Sequence, residues 1–283
     1  MKNSSVAVLI TLLLLAALSG CGADSEKQTL SADNVAISYH VEGHGQPALV
    51  FVHGWSCDKS YWKYQVPHFS KQYNVVTIDL AGHGESGSGR KDWTMEAFGK
   101  DVAAVVEKLD LDSVILIGHS MGGPVIIEAA RQMPERVTGL VGVDTFLDLG
   151  RHYTQQQIDA LVAPFEQDFA AATGKLVRGI FLADADPALV EWVVADMSSA
   201  RPQVGIAALR ELAGFDAKES LKQVPKPICC INSDMRATNV EAGRRYALSF
   251  EVKLMSGVGH FVMLEDPEIF NRLLSETIDE LSR

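Results

Sequence analysis

Apolar residues change their period several times along this chain, and the changes divide it into elements. Positions 35–41 (Val-Ala-Ile-Ser-Tyr-His-Val) alternate, the two-residue period of a strand with unlike faces. After a turn at 42–47, positions 48–52 are apolar throughout, and 74–80, 113–118 and 137–143 are nearly so. Such runs read as strands covered on both faces. Helical stripes lie between them. One follows the N-cap candidate Thr94 and aligns Met95, Phe98, Val102, Val105 and Leu109; the next aligns Val125, Ile126, Ala129, Ala130 and Met133 and ends at Pro134. Strands alternating with helices predict an α/β fold, a mostly parallel central sheet with helices on both faces.

The alternation stops after Asp144. Positions 145–222 carry helical patterns at 154–172, 175–182, 187–197 and 203–213 with no strand among them, and Pro164 is expected to kink or split the first. This reads as a helical cap inserted in a core made of 34–144 and 223–283. Its Phe165, Phe169, Phe181, Trp192 and Phe215 sit at helical spacing and read as the cap's own core. Strands return at 228–232 and 252–255 around a helix at 240–248, and a last helix aligns Ile269, Phe270, Leu273, Leu274 and Ile278.

The first 20 residues stand apart. Lys2 precedes an apolar stretch at 6–18 that is too short to span a bilayer as a mature helix, and Leu18-Ser19-Gly20-Cys21 follows. This resembles the lipobox of bacterial lipoproteins, which implies removal of residues 1–20 and lipidation of Cys21. The alternative is an ordinary secretory signal cut near Gly22. The polar, small residues of 21–33 read as a tether. Gly22, rather than an aspartate, favours an outer-membrane or periplasm-facing location in the cell envelope.

The formal net charge is −11. An acidic chain without a basic run is a poor binder of nucleic acid, and it would not adhere to an anionic membrane without a lipid. With Cys21 assigned to lipidation, Cys57, Cys229 and Cys230 remain, an odd number. The neighbours Cys229 and Cys230 point to opposite faces of a strand, so all three read as small buried hydrophobes. No spacing resembles a metal site.

The chemistry centres on Gly118-His119-Ser120-Met121-Gly122-Gly123, which interrupts a strand pattern and opens a helical one. Strand, tight turn and helix in that order raise a serine hydroxyl at the strand tip. A serine nucleophile needs a base. Among eight histidines, His260 stands out, because the loop Gly257-Val258-Gly259-His260 follows a strand and emerges at the same sheet edge as Ser120.

Together with His53-Gly54-Trp55 and Asp79-x-x-Gly82-His83-Gly84-x-Ser86, these motifs resemble the cap-containing α/β-hydrolases over residues 33–283. The resemblance implies a triad in the order serine, acid, histidine: Ser120, Asp234 and His260. Asp234 follows the 228–232 strand, although Asn232 replaces the usual glycine and the loop lacks its common proline. Asp144, ending the preceding strand, is the alternative acid. The resemblance also implies an oxyanion hole from the backbone N–H groups of Trp55 and Met121, and a bracing role for His53.

The expected activity is serine hydrolysis of a carboxylic ester or related acyl bond in a small-molecule substrate, through an acyl-enzyme and with no metal or organic cofactor. Lactonase and carbon–carbon hydrolase chemistry are compatible with the same residues. A small-molecule receptor on this fold with little turnover is the alternative from another class, and a structural envelope lipoprotein is a third. The cap carries the substrate preference, which the sequence leaves open along with the oligomeric state.

Overall fold

The computed structural model describes residues 27–282. The leader, Cys21 and the first part of the expected tether lie outside the described residues. Among the described residues eight strands form one sheet: β1 (Lys27–Leu30), β2 (Ala36–Glu42), β3 (Ala48–Val52), β4 (Val75–Ile78), β5 (Val114–His119), β6 (Val137–Val143), β7 (Pro227–Ser233) and β8 (Ser249–Met255). Their order is β1-β2-β4-β3-β5-β6-β7-β8. β2 runs antiparallel to both β1 and β4, and every other pairing is parallel.

The helices are α1 (Val66–Phe69), α2 (Met95–Lys108), α3 (Gly122–Gln132), α4 (Gln155–Gln167), α5 (Phe169–Arg178), α6 (Pro187–Ser198), α7 (Pro202–Gly214), α8 (Ala217–Leu221), α9 (Val240–Tyr246), α10 (Val262–Glu265) and α11 (Pro267–Leu281). The α/β expectation therefore holds: a mostly parallel sheet with helices packed on it. Every residue of β3, β4 and β5 is buried, as expected of strands covered on both faces. Local signals set the helix starts. Thr94 Oγ1 accepts from the Ala97 N–H at 3.1 Å to open α2, and Asp266 accepts from the Ile269 N–H at 3.0 Å to open α11.

Three details depart from the sequence reading. First, the expected tether at 21–33 is partly structured: Lys27–Leu30 is a strand, registered Lys27 to Tyr39 through Leu30 to Ala36. An edge strand needs only backbone partners, so an apolar pattern was not required to form it. Arg90 holds the segment that follows, bridging Asp33 to the buried Asp101. Second, the expected 154–172 helix breaks at Asp168 rather than at Pro164, which sits inside α4, and its second part runs on into the expected 175–182 helix as the single α5, which stops at Arg178. Asp168 caps α5 by accepting from the Ala171 N–H at 3.0 Å, and a side-chain cap marks a new start. Third, Ile269 lies off the buried face of α11, which is formed by Phe270, Leu274 and Ile278.

Between β6 and β7 the chain builds helices alone, α4 to α8, over one end of the sheet. Phe165, Phe169 and Phe181 are buried and Trp192 and Phe215 partly so. Not all of this is cap core: Phe165 and Phe169 place their rings 5.3 and 5.7 Å from Trp55 of the sheet domain. Cys57, Cys229 and Cys230 are free thiols and buried. Among the described residues no helix is long and apolar enough to cross a membrane.

Candidate active site

The register of the central strands brings the site together. Val52 of β3 stands opposite Gly118 of β5, His119 opposite Val143 of β6, and Val143 opposite Ile231 of β7. The segments leaving β3, β5, β6 and β7 therefore emerge side by side at one edge, where ligands of parallel α/β sheets bind.

Ser120 sits in the turn between β5 and α3 with φ 51°, a left-handed conformation that costs an L-residue roughly 1–3 kcal/mol. The surroundings hold it there. Its N–H donates to the Val143 carbonyl at 3.0 Å, and its carbonyl accepts from the Gly123 N–H and the Thr145 hydroxyl, both at 2.9 Å. The flanking glycines are sterically required. A Cβ on Gly118 would lie 2.3 Å from the Gly122 carbonyl oxygen, and one on Gly122 2.5 Å from that of Val52. Gly54 lets the loop after β3 approach the serine; a Cβ there would stand 2.8 Å from His119 Nδ1 and 3.3 Å from Ser120 Cβ.

His260 Nδ1–H donates to Asp144 Oδ2 at 2.5 Å. This fixes the tautomer, leaving Nε2 as the acceptor. The expected partner, Asp234, is not there: it is exposed, and its Oδ2 accepts from the Ser256 hydroxyl at 2.5 Å. The physical reason lies at the ends of β6 and β7. Asp144 is buried at φ 43°, and its Oδ1 accepts from the Ser233 N–H at 2.9 Å, which turns Oδ2 toward the imidazole. Asn232, in place of the usual glycine, clamps the chain just after Asp144: its Oδ1 accepts from the Thr145 N–H at 3.2 Å and its Nδ2 donates to the Thr145 carbonyl at 3.1 Å. The departures at Asn232 and in the following loop marked Asp234 as an imperfect match, but they did not by themselves select Asp144.

Ser120 and His260 line one cavity of about 160 Å³, beneath the cap. No hydrogen bond joins their side chains among the described residues; contacts of this kind are commonly long before substrate binds and tighten in the complex. Trp55 and Met121 flank the serine, one on the loop after β3 and the other at the N-cap of α3. Neither backbone N–H donates to another group among the described residues. His53 braces the loop, donating from Nδ1 to the Gly54 carbonyl at 2.8 Å and accepting at Nε2 from the Leu80 N–H at 3.0 Å.

Two residues that the sequence reading did not single out hold the His260 loop. Glu265 accepts from the N–H groups on either side of the histidine, Gly259 at 2.8 Å and Phe261 at 3.0 Å. Its position five residues on, at the end of a short helix, was the available clue. Burial raises its carboxyl above the usual range. His119 is fully buried and held well below the ordinary histidine range by desolvation, so it is neutral. Its Nε2–H donates to the His260 carbonyl at 3.0 Å. The cap joins in through the Ile180 carbonyl, which accepts from the His260 N–H at 2.9 Å.

Glu265→Gln leaves one oxygen where two N–H groups need acceptors. It is expected to lower kcat roughly tenfold with KM little changed, and to cost about 1–3 kcal/mol of stability. Steady-state kinetics and thermal unfolding check this; a rise in KM at constant kcat would assign Glu265 to substrate binding instead.

Comparison with known proteins agrees with the fold. The family model described as alpha/beta hydrolase family matches residues 49–273. A 3-oxoadipate enol-lactonase 2 of Acinetobacter baylyi is 27% identical over 254 residues, covering 87% of this chain and 94% of its own length. The Karrikin insensitive 2 receptor CA of Petunia hybrida is 26% identical over 243 residues, 80% of this chain and 90% of that one. Among solved structures, Est816, an N-acyl homoserine lactone degrading enzyme, superposes with a TM-score of 0.76 at 25% identity, over 88% of this chain and 99% of its own. The strained turn at Ser120, the sheet order and the family match converge on one statement: the chain belongs to the alpha/beta hydrolase family.

Proposed function

We propose that this protein is a serine hydrolase that cleaves a carboxylic ester or lactone through an acyl-enzyme, with Ser120, His260 and Asp144 as its triad. The observation that carries the reading is the 2.5 Å Asp144–His260 bond, which leaves Nε2 as a proton acceptor in the cavity shared with Ser120.

Ser120 Oγ attacks the carbonyl carbon as its proton passes to His260 Nε2. Charge develops on the carbonyl oxygen, and the N–H groups of Trp55 and Met121 receive it. Each such donor stabilises the transition state by about 3 kcal/mol. The tetrahedral intermediate collapses, the C–O bond breaks, and the leaving alkoxide takes the proton from the imidazolium. Water then attacks the acyl-serine with His260 again as base, which releases the acid and restores the hydroxyl.

A fluorophosphonate probe followed by peptide mapping tests the reading. One adduct on the peptide containing Ser120, with multiple turnover of 4-nitrophenyl butyrate, is expected. Absence of label overturns the nucleophile. Labelling with a single burst and no further turnover favours a receptor that hydrolyses its ligand slowly, which the receptor relative makes a concrete alternative.

The anchoring reading joins this one: the hydrolase domain is held at the cell envelope by acyl chains on Cys21. Metabolic labelling with an alkyne palmitate analogue is expected to mark the full chain and to spare Cys21→Ala. Equal labelling of both would remove the anchor.

A further inference from the structure

Apart from its catalytic groups, the cavity around Ser120 is lined mainly by apolar side chains, among them Leu176, Ile180, Leu209, Leu212 and Phe261. It holds one charged side chain outside the triad, Arg236, on the loop between β7 and α9. Arg236 is exposed at the mouth.

Every other arginine among the described residues is engaged. Arg90, Arg131, Arg136, Arg178, Arg210, Arg245 and Arg272 pair with carboxylates. Arg201 and Arg244 donate to backbone carbonyls, and Arg151 lies over the Tyr153 ring. Arg236 alone has no such partner among the described residues. The acid two positions away does not serve it: Asp234 makes no ion pair with it and instead accepts from the Ser256 hydroxyl. In a chain of net charge −11, with carboxylates in excess, an arginine without a counter-ion at a cavity mouth is a specific feature.

We propose that Arg236 is a specificity-determining residue: it receives a free carboxylate on the substrate, so that the preferred substrates are short carboxylic esters or lactones with an additional carboxylate. This rests on Ser120 being the nucleophile. The guanidinium is a planar fork that matches a carboxylate with two parallel hydrogen bonds. The apolar lining takes the hydrocarbon between that carboxylate and the scissile bond, and a cavity of about 160 Å³ limits it to a few carbons.

The test compares matched pairs. Mono-4-nitrophenyl glutarate is set against 4-nitrophenyl hexanoate for a carboxylate on the acyl side, and 3-carboxypropyl butyrate against pentyl butyrate for one on the alcohol side. In at least one pair, the native chain is expected to favour the acid by roughly tenfold in kcat/KM at low salt, and Arg236→Gln to abolish the preference. Arg236→Lys, which keeps the charge but not the fork, is expected to retain part of it, and Arg236→Glu to reverse it. The unfolding midpoint of each variant reports that it folds. A flat ratio in both pairs, or one that Arg236→Gln leaves in place, overturns the inference while the hydrolase reading stands. Failure to hydrolyse any of the four esters, with no fluorophosphonate label, overturns both.

Discussion

Replacing His260 with alanine is expected to lower kcat on a short ester by about 10⁶-fold, and adding Ser120→Ala to that variant is expected to cost almost nothing more. In the proposed mechanism, hydroxyl and imidazole act in one step. Without the base, the serine proton has nowhere to go and the oxygen is no better a nucleophile than water. Without the serine, the base has no proton to take. Each single variant therefore removes the whole covalent route, and what remains is the rate that the two backbone N–H groups and substrate positioning support with water as nucleophile. Steady-state and single-turnover rates of both single variants and the double variant decide this. A double variant a hundredfold slower than either single would mean that the two side chains contribute independently, and the shared step would be wrong.

The second large effect separates two aspartates. Asp144→Asn is expected to lower kcat by about 10⁴-fold, whereas Asp234→Asn should stay within about threefold of the native rate. Asparagine keeps Oδ1 for the Ser233 N–H but faces His260 Nδ1 with an amide N–H in place of an oxygen. Nδ1 must then accept, the proton moves to Nε2, and the ring can no longer take one from Ser120. The backbone is not the cause, since asparagine tolerates the φ of 43° that residue 144 adopts. Asp234 loses only its bond to the exposed Ser256 hydroxyl. The reverse ranking of the two variants would return the role to Asp234.

Much of this was legible in the sequence. The 48–52 and 137–143 runs became β3 and β6 at those bounds, because short, valine-rich and largely apolar stretches have few alternatives to a buried strand. The placement of Ser120 was legible too, since Gly118 and Gly122 are needed wherever the backbone packs that closely. The edge strand at Lys27–Leu30 was not, because its pairing is carried by backbone groups common to every residue type. Nor was the choice of acid. Asp144 and Asp234 follow adjacent parallel strands, so both chain positions reach the same sheet edge, and pattern alone does not say which carboxylate turns inward.

What the sequence determined by itself, then, is the alternation of elements, the helical insertion, the turn that raises Ser120 and the loop that delivers His260; these follow from local periodicity and from steric rules that act over a few residues. Only the tertiary structure decided that Asp144 meets the imidazole, that Glu265 and His119 hold its loop, and that Arg236 stands at the cavity mouth without a counter-ion. Those facts depend on the directions of side chains from segments far apart in the chain. Contacts across the strand ends, such as Asn232 to Thr145 and Ser233 to Asp144, set those directions.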